Sequence, residues 1–311
     1  MKCSYNVNGV LLIDKSKGIS SNYLLQQVKK IFRAKKAGHT GSLDPLATGM
    51  LPICFGESTK FSKYLLNAKK RYIVIAQLGI KTTTSDAEGE IIKISPVYIT
   101  KEKLNNTLKK FLGHITQKPS MYSAIKYQGL SLYKYARKGI TIDRDTRKIT
   151  IYELNCIIYH KKFIKLEVYC SKGTYIRTLI DDLGEQLGCG AHVVFLRRLQ
   201  VGLYKMHNLV TFNKLIDIKK KFNQNYFLFP QYLSKLNLLH PIDSPVSCFS
   251  KIKLTDFESK ILISGQSIQL NSIPVSPNKI VRIMNNLSKL FIGIGKINKY
   301  GVLTPIRLIS Q

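Results

Sequence analysis

The sequence predicts an α+β fold: a mostly antiparallel central sheet flanked by helices, followed by a small β-rich C-terminal domain. Three observations carry this reading. Strand-like and helix-like stretches mix without the strict β-α-β alternation of a parallel doubly wound sheet. Neighbouring strand candidates, such as ITIYELNCIIYH and FIKLEVYCS, are joined by short turns. Beyond HPIDSPVS (240–247), where prolines cluster, the pattern changes to short strands with turn punctuation, KLFIGIGKINKYGVLTPIRLI being the clearest. The expected division is 1–247 for the main domain and 248–311 for the small one.

Taken in order, NGVLLIDKSKGISS reads as a strand, a turn at Gly18, and a helix capped by Ser20 or Ser21. Leu24, Leu25, Val28, Ile31 and Phe32 recur at helical spacing over Asn22 to Arg33. A loop, GHTGSLDPLATGML (Gly38 to Leu51), follows, and then a helix around Thr59 to Leu66. RYIVIAQLG is a strand closed by Gly79, and KTTTSDAEGEIIKI a turn with a return strand. Leu104, Leu108, Phe111 and Leu112 mark a helix after Thr100. KPSMYSAIKYQG has no period and reads as a loop, and Ser131 to Lys138 as a short helix stopped by Gly139. After the paired strands, SKGTYIRTLIDDLGEQLG turns at Gly173 into a helix bearing Ile176, Leu179, Ile180, Leu183 and Leu187. AHVVFLRRLQVG is a further strand. There is no internal repeat.

Forty-nine Lys and Arg face 18 Asp and Glu, a formal charge of +31, which points to a polyanionic partner. Lys outnumbers Arg about four to one and Ile and Asn are abundant, so compositional drift also contributes charge. Six cysteines (Cys3, Cys54, Cys156, Cys170, Cys189 and Cys248) lie far apart with no C-x-x-C spacing. No secretory apolar region opens the chain, so a reducing cytoplasm is the expected compartment. Apolar runs are strand-length, far short of the ~20 residues of a membrane span. The six histidines do not pair at metal-ligand spacing, and no metal is expected.

Several familiar sites fail on inspection. FGESTK lacks the order of a phosphate loop, GEQLGCG is not G-x-G-x-x-G, and no Ser sits on a G-x-S-x-G elbow. Asp181 and Asp182 are adjacent on a helix and point apart. The long loop remains. Asp44 precedes Pro45 and reads equally as the start of a turn, but Gly38, Gly41 and Gly49 make the backbone around it permissive, and His39, Thr40 and Ser42 add polar groups. A lone carboxylate that a ligand can approach closely suits chemistry at a glycosidic bond or conjugate addition to a base better than two-carboxylate sugar hydrolysis. Lys172, Tyr175 and Arg177 form a second cluster at a strand-to-helix turn. Arg177 is either a partner for a buried Asp or a surface phosphate contact, and Tyr175 either a site residue or a core aromatic. Tyr72, opening a strand, either stacks on an unpaired base or simply packs.

Together, NGVLLIDKSKGISS, AGHTGSLDPLATGMLPICFGESTKF, KRYIVIAQLGIKTTTSDAEG, PSMYSAIKYQG and CSKGTYIRTLIDDLGEQLGCGAHVVFLRRL closely resemble, in order and spacing, the bacterial tRNA pseudouridine synthase B family, from residue 8 to about 200. The resemblance implies the pseudouridine synthase fold with a PUA-like RNA-binding C-terminal domain, isomerisation of uridine 55 in the T-arm of tRNA, and no cofactor. It implies Asp44 as the nucleophile or the trigger of base detachment, Arg177 as its partner, and Tyr72 as the aromatic that stacks on the flipped uracil and takes the C5 proton. Tyr175 and Leu196 fall on uracil-pocket positions, His39 near the extruded nucleotide, and Lys15 beneath the catalytic loop. Two departures stand out: Thr83 where the family usually has Asp, and Ser42 for a usual Thr or Ala. A monomer is expected, with RNA on the basic face. The rival readings are a guide-RNA-dependent pseudouridine synthase and a tRNA-folding chaperone, the latter compatible with the enzyme.

Overall fold

The computed structural model describes residues 4–222, 228–270 and 279–310; Cys3 lies outside them. The chain opens with β1 (Gly9–Lys15), α1 (Ser21–Phe32), β2 (Ala37–His39) and β3 (Thr48–Phe55). A 3₁₀ turn (Gly56–Phe61) leads into α2 (Ser62–Asn67), so the helix expected from Thr59 begins as 3₁₀. Next come β4 (Lys70–Leu78), the hairpin β5 (Ile80–Thr82) and β6 (Ile91–Ile94), α3 (Lys101–Lys110) and β7 (Gly113–Gln117). A small hairpin, β8 (Lys126–Tyr127) and β9 (Leu130–Ser131), precedes α4 (Leu132–Ala136). The long β10 (Arg147–His160) and β11 (Phe163–Cys170) follow, then α5 (Ile176–Leu187), β12 (Ala191–Val201) and β13 (Val210–Thr211). The stretch closes with α6 (Phe212–Lys220), α7 (Leu228–Lys235) and β14 (Leu239–His240).

Ten of these strands form one sheet in the order β13-β1-β3-β12-β4-β11-β10-β7, with β14 on β1 and β2 on β3. Only β1/β13 and β3/β12 run parallel, so the sheet is mostly antiparallel, as the sequence predicts. Strand β3 was hidden in the sequence, where Gly49 and Pro52 make it read as loop. It nonetheless lies buried and pairs with β1 along its length after Thr48, Gly9 to Lys15 against Phe55 to Gly49. Thr40 N–H donates to the Pro52 carbonyl, so the N–H that Pro52 lacks falls on that side and the β1 ladder loses nothing. Gly49 adopts φ +99°, and a Cβ there would collide with the backbone of Arg198, which it faces on β12.

Helices cover the sheet where their apolar stripes dictate. Ser20 caps α1 by accepting the Tyr23 N–H, and Leu24, Leu25, Val28 and Phe32 pack on β1 and β3. Ile176, Leu179, Ile180, Leu183 and Leu187 of α5 pack on Val74, Ala76, Val168 and Val193. Gly188 ends that helix in the left-handed region, as a C-terminal stop requires.

A separate five-stranded sheet is built from β15 (Lys251–Leu254), β16 (Ile268–Gln269), β17 (Ile280–Asn285), β18 (Phe291–Ile297) and β19 (Val302–Leu308), in the order β15-β17-β18-β19-β16. One helix, α8 (Asp256–Ile263), accompanies it, held by a Thr255–Glu258 capping box. Phe61, Val246, Phe291 and Ile294 pack together where this unit meets the first, and Arg282 pairs with Asp243 at 2.9 Å.

Candidate active site

The Thr40–Ala47 loop between β2 and β3 is rigidly held from beneath. The Ser21 hydroxyl accepts the Leu43 N–H (2.8 Å) and donates to the Leu43 carbonyl (3.0 Å). Gly18 N–H donates to the Pro45 carbonyl at 2.8 Å. The wholly buried Lys15 donates to the carbonyls of Ser16 (2.9 Å), Pro45 (3.2 Å) and Ala47 (2.7 Å). Burial pushes its pKa down to about 8, opposed by Asp44. Ala47 N–H also donates to the Asp44 carbonyl, so Asp44 does start a turn. Its carboxylate is left for another purpose.

That carboxylate meets Arg177, from the first turn of α5, with Nε 2.8 Å from Asp44 Oδ2. Arg177 is 4% exposed. Its Nη1 lies 3.2 Å from Asp86 Oδ2 and donates to the Thr84 carbonyl (3.0 Å), and its Nη2 donates to the Tyr122 carbonyl (2.7 Å). Buried Asp86 is fixed in turn by the Thr84 hydroxyl (2.6 Å) and the Glu88 N–H (3.0 Å). Thr83 serves its own turn, its hydroxyl accepting the Glu90 N–H at 3.1 Å. The Asp44 side chain remains 41% exposed, toward the cavity above it. Burial pushes its pKa above the usual carboxylate range, with Arg177 pulling it back and Asp86 adding to the rise.

The cavity holds about 330 Å³, and Asp44, Tyr72, Tyr175, Arg177, Leu196 and Arg198 contribute to its lining. Tyr72 and Leu196 reach it from β4 and β12, and Tyr175 from the N-terminus of α5. Gln117 at the end of β7 pins Tyr175, accepting its N–H (2.8 Å) and donating to its carbonyl (3.0 Å). The structure therefore gathers five of the seven sequence-predicted residues on one cavity. The other two are not part of its lining. Lys15 is under the loop, and His39 ends β2, its Nδ1 buried without a hydrogen-bond partner and its pKa lowered by burial and by Arg198.

Sequence reasoning missed two cations at this cavity, Arg198 and Lys70. Lys70 donates to the carbonyls of Leu65 (3.1 Å), Leu66 (2.6 Å) and Ala68 (2.6 Å), closing the end of α2. The signal for Arg198 was present: in FLRRL, Leu196 and Arg198 are two apart on a strand and share a face. A roomier cavity of about 580 Å³ lies between β17, β18 and Pro241 to Asp243, but its lining is mostly apolar and its carboxylate, Asp243, is already paired with Arg282.

One carboxylate aimed by a guanidinium at the floor of a pocket, with aromatic walls of a planar ring's size, can attack or deprotonate a bound ring without a second acid.

Residues 29–176 match the N-terminal domain of the TruB family pseudouridylate synthases, 177–247 the tRNA pseudouridylate synthase B C-terminal domain, and 250–309 the C-terminal domain of pseudouridine synthase II TruB. The chain is similar to the tRNA pseudouridine synthase B of Pectobacterium atrosepticum, 50% identical over 307 residues covering 98% of this chain and 96% of the relative. It is equally similar to that of Buchnera aphidicola subsp. Acyrthosiphon pisum, 50% identical over 306 residues covering 98% and 97%. Among solved structures, a chain of a Cbf5-Nop10-Gar1 complex shares the fold, with a TM-score of 0.73 at 24% identity over 97% of this chain and 85% of that one.

Proposed function

The chain belongs to the TruB family of pseudouridylate synthases, and we propose that it isomerises uridine 55 in the T-arm of tRNA to pseudouridine. The observation that carries this reading is the 2.8 Å Asp44–Arg177 pair at the floor of a cavity walled by Tyr72, Tyr175 and Leu196. The reaction breaks the N1–C1′ bond, rotates the base and makes a C5–C1′ bond, while a proton leaves C5 and N1 gains one. The product is an isomer of the substrate, so no oxidant or reductant is required.

Asp44 is the nucleophile, or the carboxylate that triggers detachment of uracil, and Arg177 keeps it ionised and aimed. Tyr72 stacks on the ring and takes the C5 proton, and Tyr175 and Leu196 complete the ring's pocket. His39 lies toward the extruded nucleotide, and Lys15 holds the loop. A target uridine reaches the cavity only by leaving its stack, at a cost of a few kcal/mol. The excess of 49 basic over 18 acidic residues holds the RNA meanwhile.

Residues 1–247 constitute the catalytic domain and 248–311 a PUA-like RNA-binding domain, acting as a monomer in the cytoplasm. Among the described residues no helix is long and apolar enough to cross a membrane. Mapping the pseudouridine in a tRNA transcript after incubation with the protein tests the reading. Modification at position 55, abolished in a transcript with cytidine there, is expected; modification elsewhere, or only with an added guide RNA, would overturn it. A tRNA-folding role separates from turnover if Asp44→Asn still refolds tRNA.

A further inference from the structure

Arg198 is among the largest fully buried side chains of the fold, 1% exposed. Other arginines pair with carboxylates: Arg71 with Glu153, Arg177 with Asp44, Arg197 with Asp14 and Arg282 with Asp243. Among the described residues no carboxylate lies within ion-pairing distance of Arg198. Its Nε donates to the Met50 carbonyl (2.7 Å) and its Nη2 to the Gly41 carbonyl (2.9 Å). A buried charge without a counter-charge is expensive, and the expense calls for a use.

The placement of Arg198 supplies one. It is the direct partner of Tyr72 in the β4/β12 ladder, on the same sheet face, so the two side chains stand beside one another. Burial pushes the Tyr72 phenol up, and Arg198 is the main influence pulling it down. A guanidinium only donates, and a positive charge beside a phenol favours the deprotonated form, the one that can take a proton. Both residues line the cavity. The same fork joins β3, through Met50, to the Gly41 end of the loop carrying Asp44.

We propose that Arg198 is a positioning residue for the isomerisation: it holds the Tyr72 oxygen at the cavity wall and fixes the Gly41 end of the catalytic loop. This rests on the reading that the cavity receives a uracil ring. Lysine carries the charge but lacks the fork that joins the Met50 and Gly41 carbonyls.

The test is a double-mutant cycle on the full chain, with Arg198→Lys, Arg198→Met, Tyr72→Phe and the double variants. It reads single-turnover tritium release from C5-labelled tRNA transcript, and transcript affinity separately. Arg198→Lys should slow release by at least ~10-fold, the worth of one charge-assisted hydrogen bond, with affinity little changed. With Tyr72 already Phe, the same change should slow release by clearly less, because coupled residues are non-additive, the remainder reporting the Gly41 contact. Equal losses in both backgrounds, or a wild-type rate for Arg198→Lys, would overturn the proposal. Should Arg198→Met fail to fold, the Lys arm decides. Absence of release by the wild type would instead overturn the uracil reading. The thermal midpoints of the same proteins then report the Arg198–Tyr72 pairing without activity, additive shifts overturning it.

Discussion

Arg177 Nε lies 2.8 Å from Asp44 Oδ2, and the same guanidinium reaches Asp86 at 3.2 Å. The two carboxylates differ in kind. Asp86 is 4% exposed and Asp44 41%, so one anchors the arginine and the other faces whatever fills the cavity.

The first prediction follows from that asymmetry. Arg177→Met leaves the buried Asp86 without its counter-charge, and should destabilise the fold by about 3–5 kcal/mol. Asp44→Asn should cost far less, because Arg177 keeps Asp86. Urea unfolding midpoints of the two variants check this; equal losses would mean that Asp86 does not anchor the arginine.

The pH dependence of the site has a definite sign. The Asp44 pKa is raised by burial, then partly restored by Arg177. As pH falls, the carboxylate is therefore lost before an ordinary aspartate at about 3.9 would titrate. Single-turnover rates should drop on the acid side above that value. In the window between the unfolded and the raised folded value the native state binds more protons, so ionised Asp44 costs stability at neutral pH and the cost fades as pH falls through the window. An acid limb at the ordinary carboxylate value would contradict the burial argument.

Lys15 supports the loop through the carbonyls of Pro45 and Ala47. Lys15→Met keeps much of the volume but strands those acceptors, at about 1–3 kcal/mol. Turnover should fall with little change in transcript affinity, since Lys15 does not line the cavity. A fall in affinity alone would instead make it an RNA contact.

Affinity for tRNA should decline steeply and linearly on a log–log plot against salt, with a slope of about 0.9 or less per phosphate neutralised. A flat profile would assign the +31 charge to compositional drift.

Much of this was legible in the sequence because local signals agreed with the fold. The helix expected over 22–33 is α1, and its last expected residue, Arg33, is the left-handed stop at φ 46°. Helix α5 showed in its apolar spacing, and the Asp44 loop in its glycines. What stayed hidden depended on partners distant in sequence. Strand β3 read as loop because Gly49 and Pro52 disfavour strands in isolation. They fit only once Arg198 approaches on one side and Thr40, not the β1 ladder, faces Pro52. Arg198 did not stand out among 49 basic residues, because only the fold buries it. Asp86 showed no sign of sharing Arg177 with Asp44, a pairing across 91 positions that only the sheet and α5 create.

The most direct test of the central claim is tritium release from a C5-labelled tRNA transcript, comparing wild type with Asp44→Asn. The wild type should release the label and Asp44→Asn should not, with transcript affinity preserved within a few-fold. Substantial release by Asp44→Asn would contradict the assignment of the chemistry to that carboxylate.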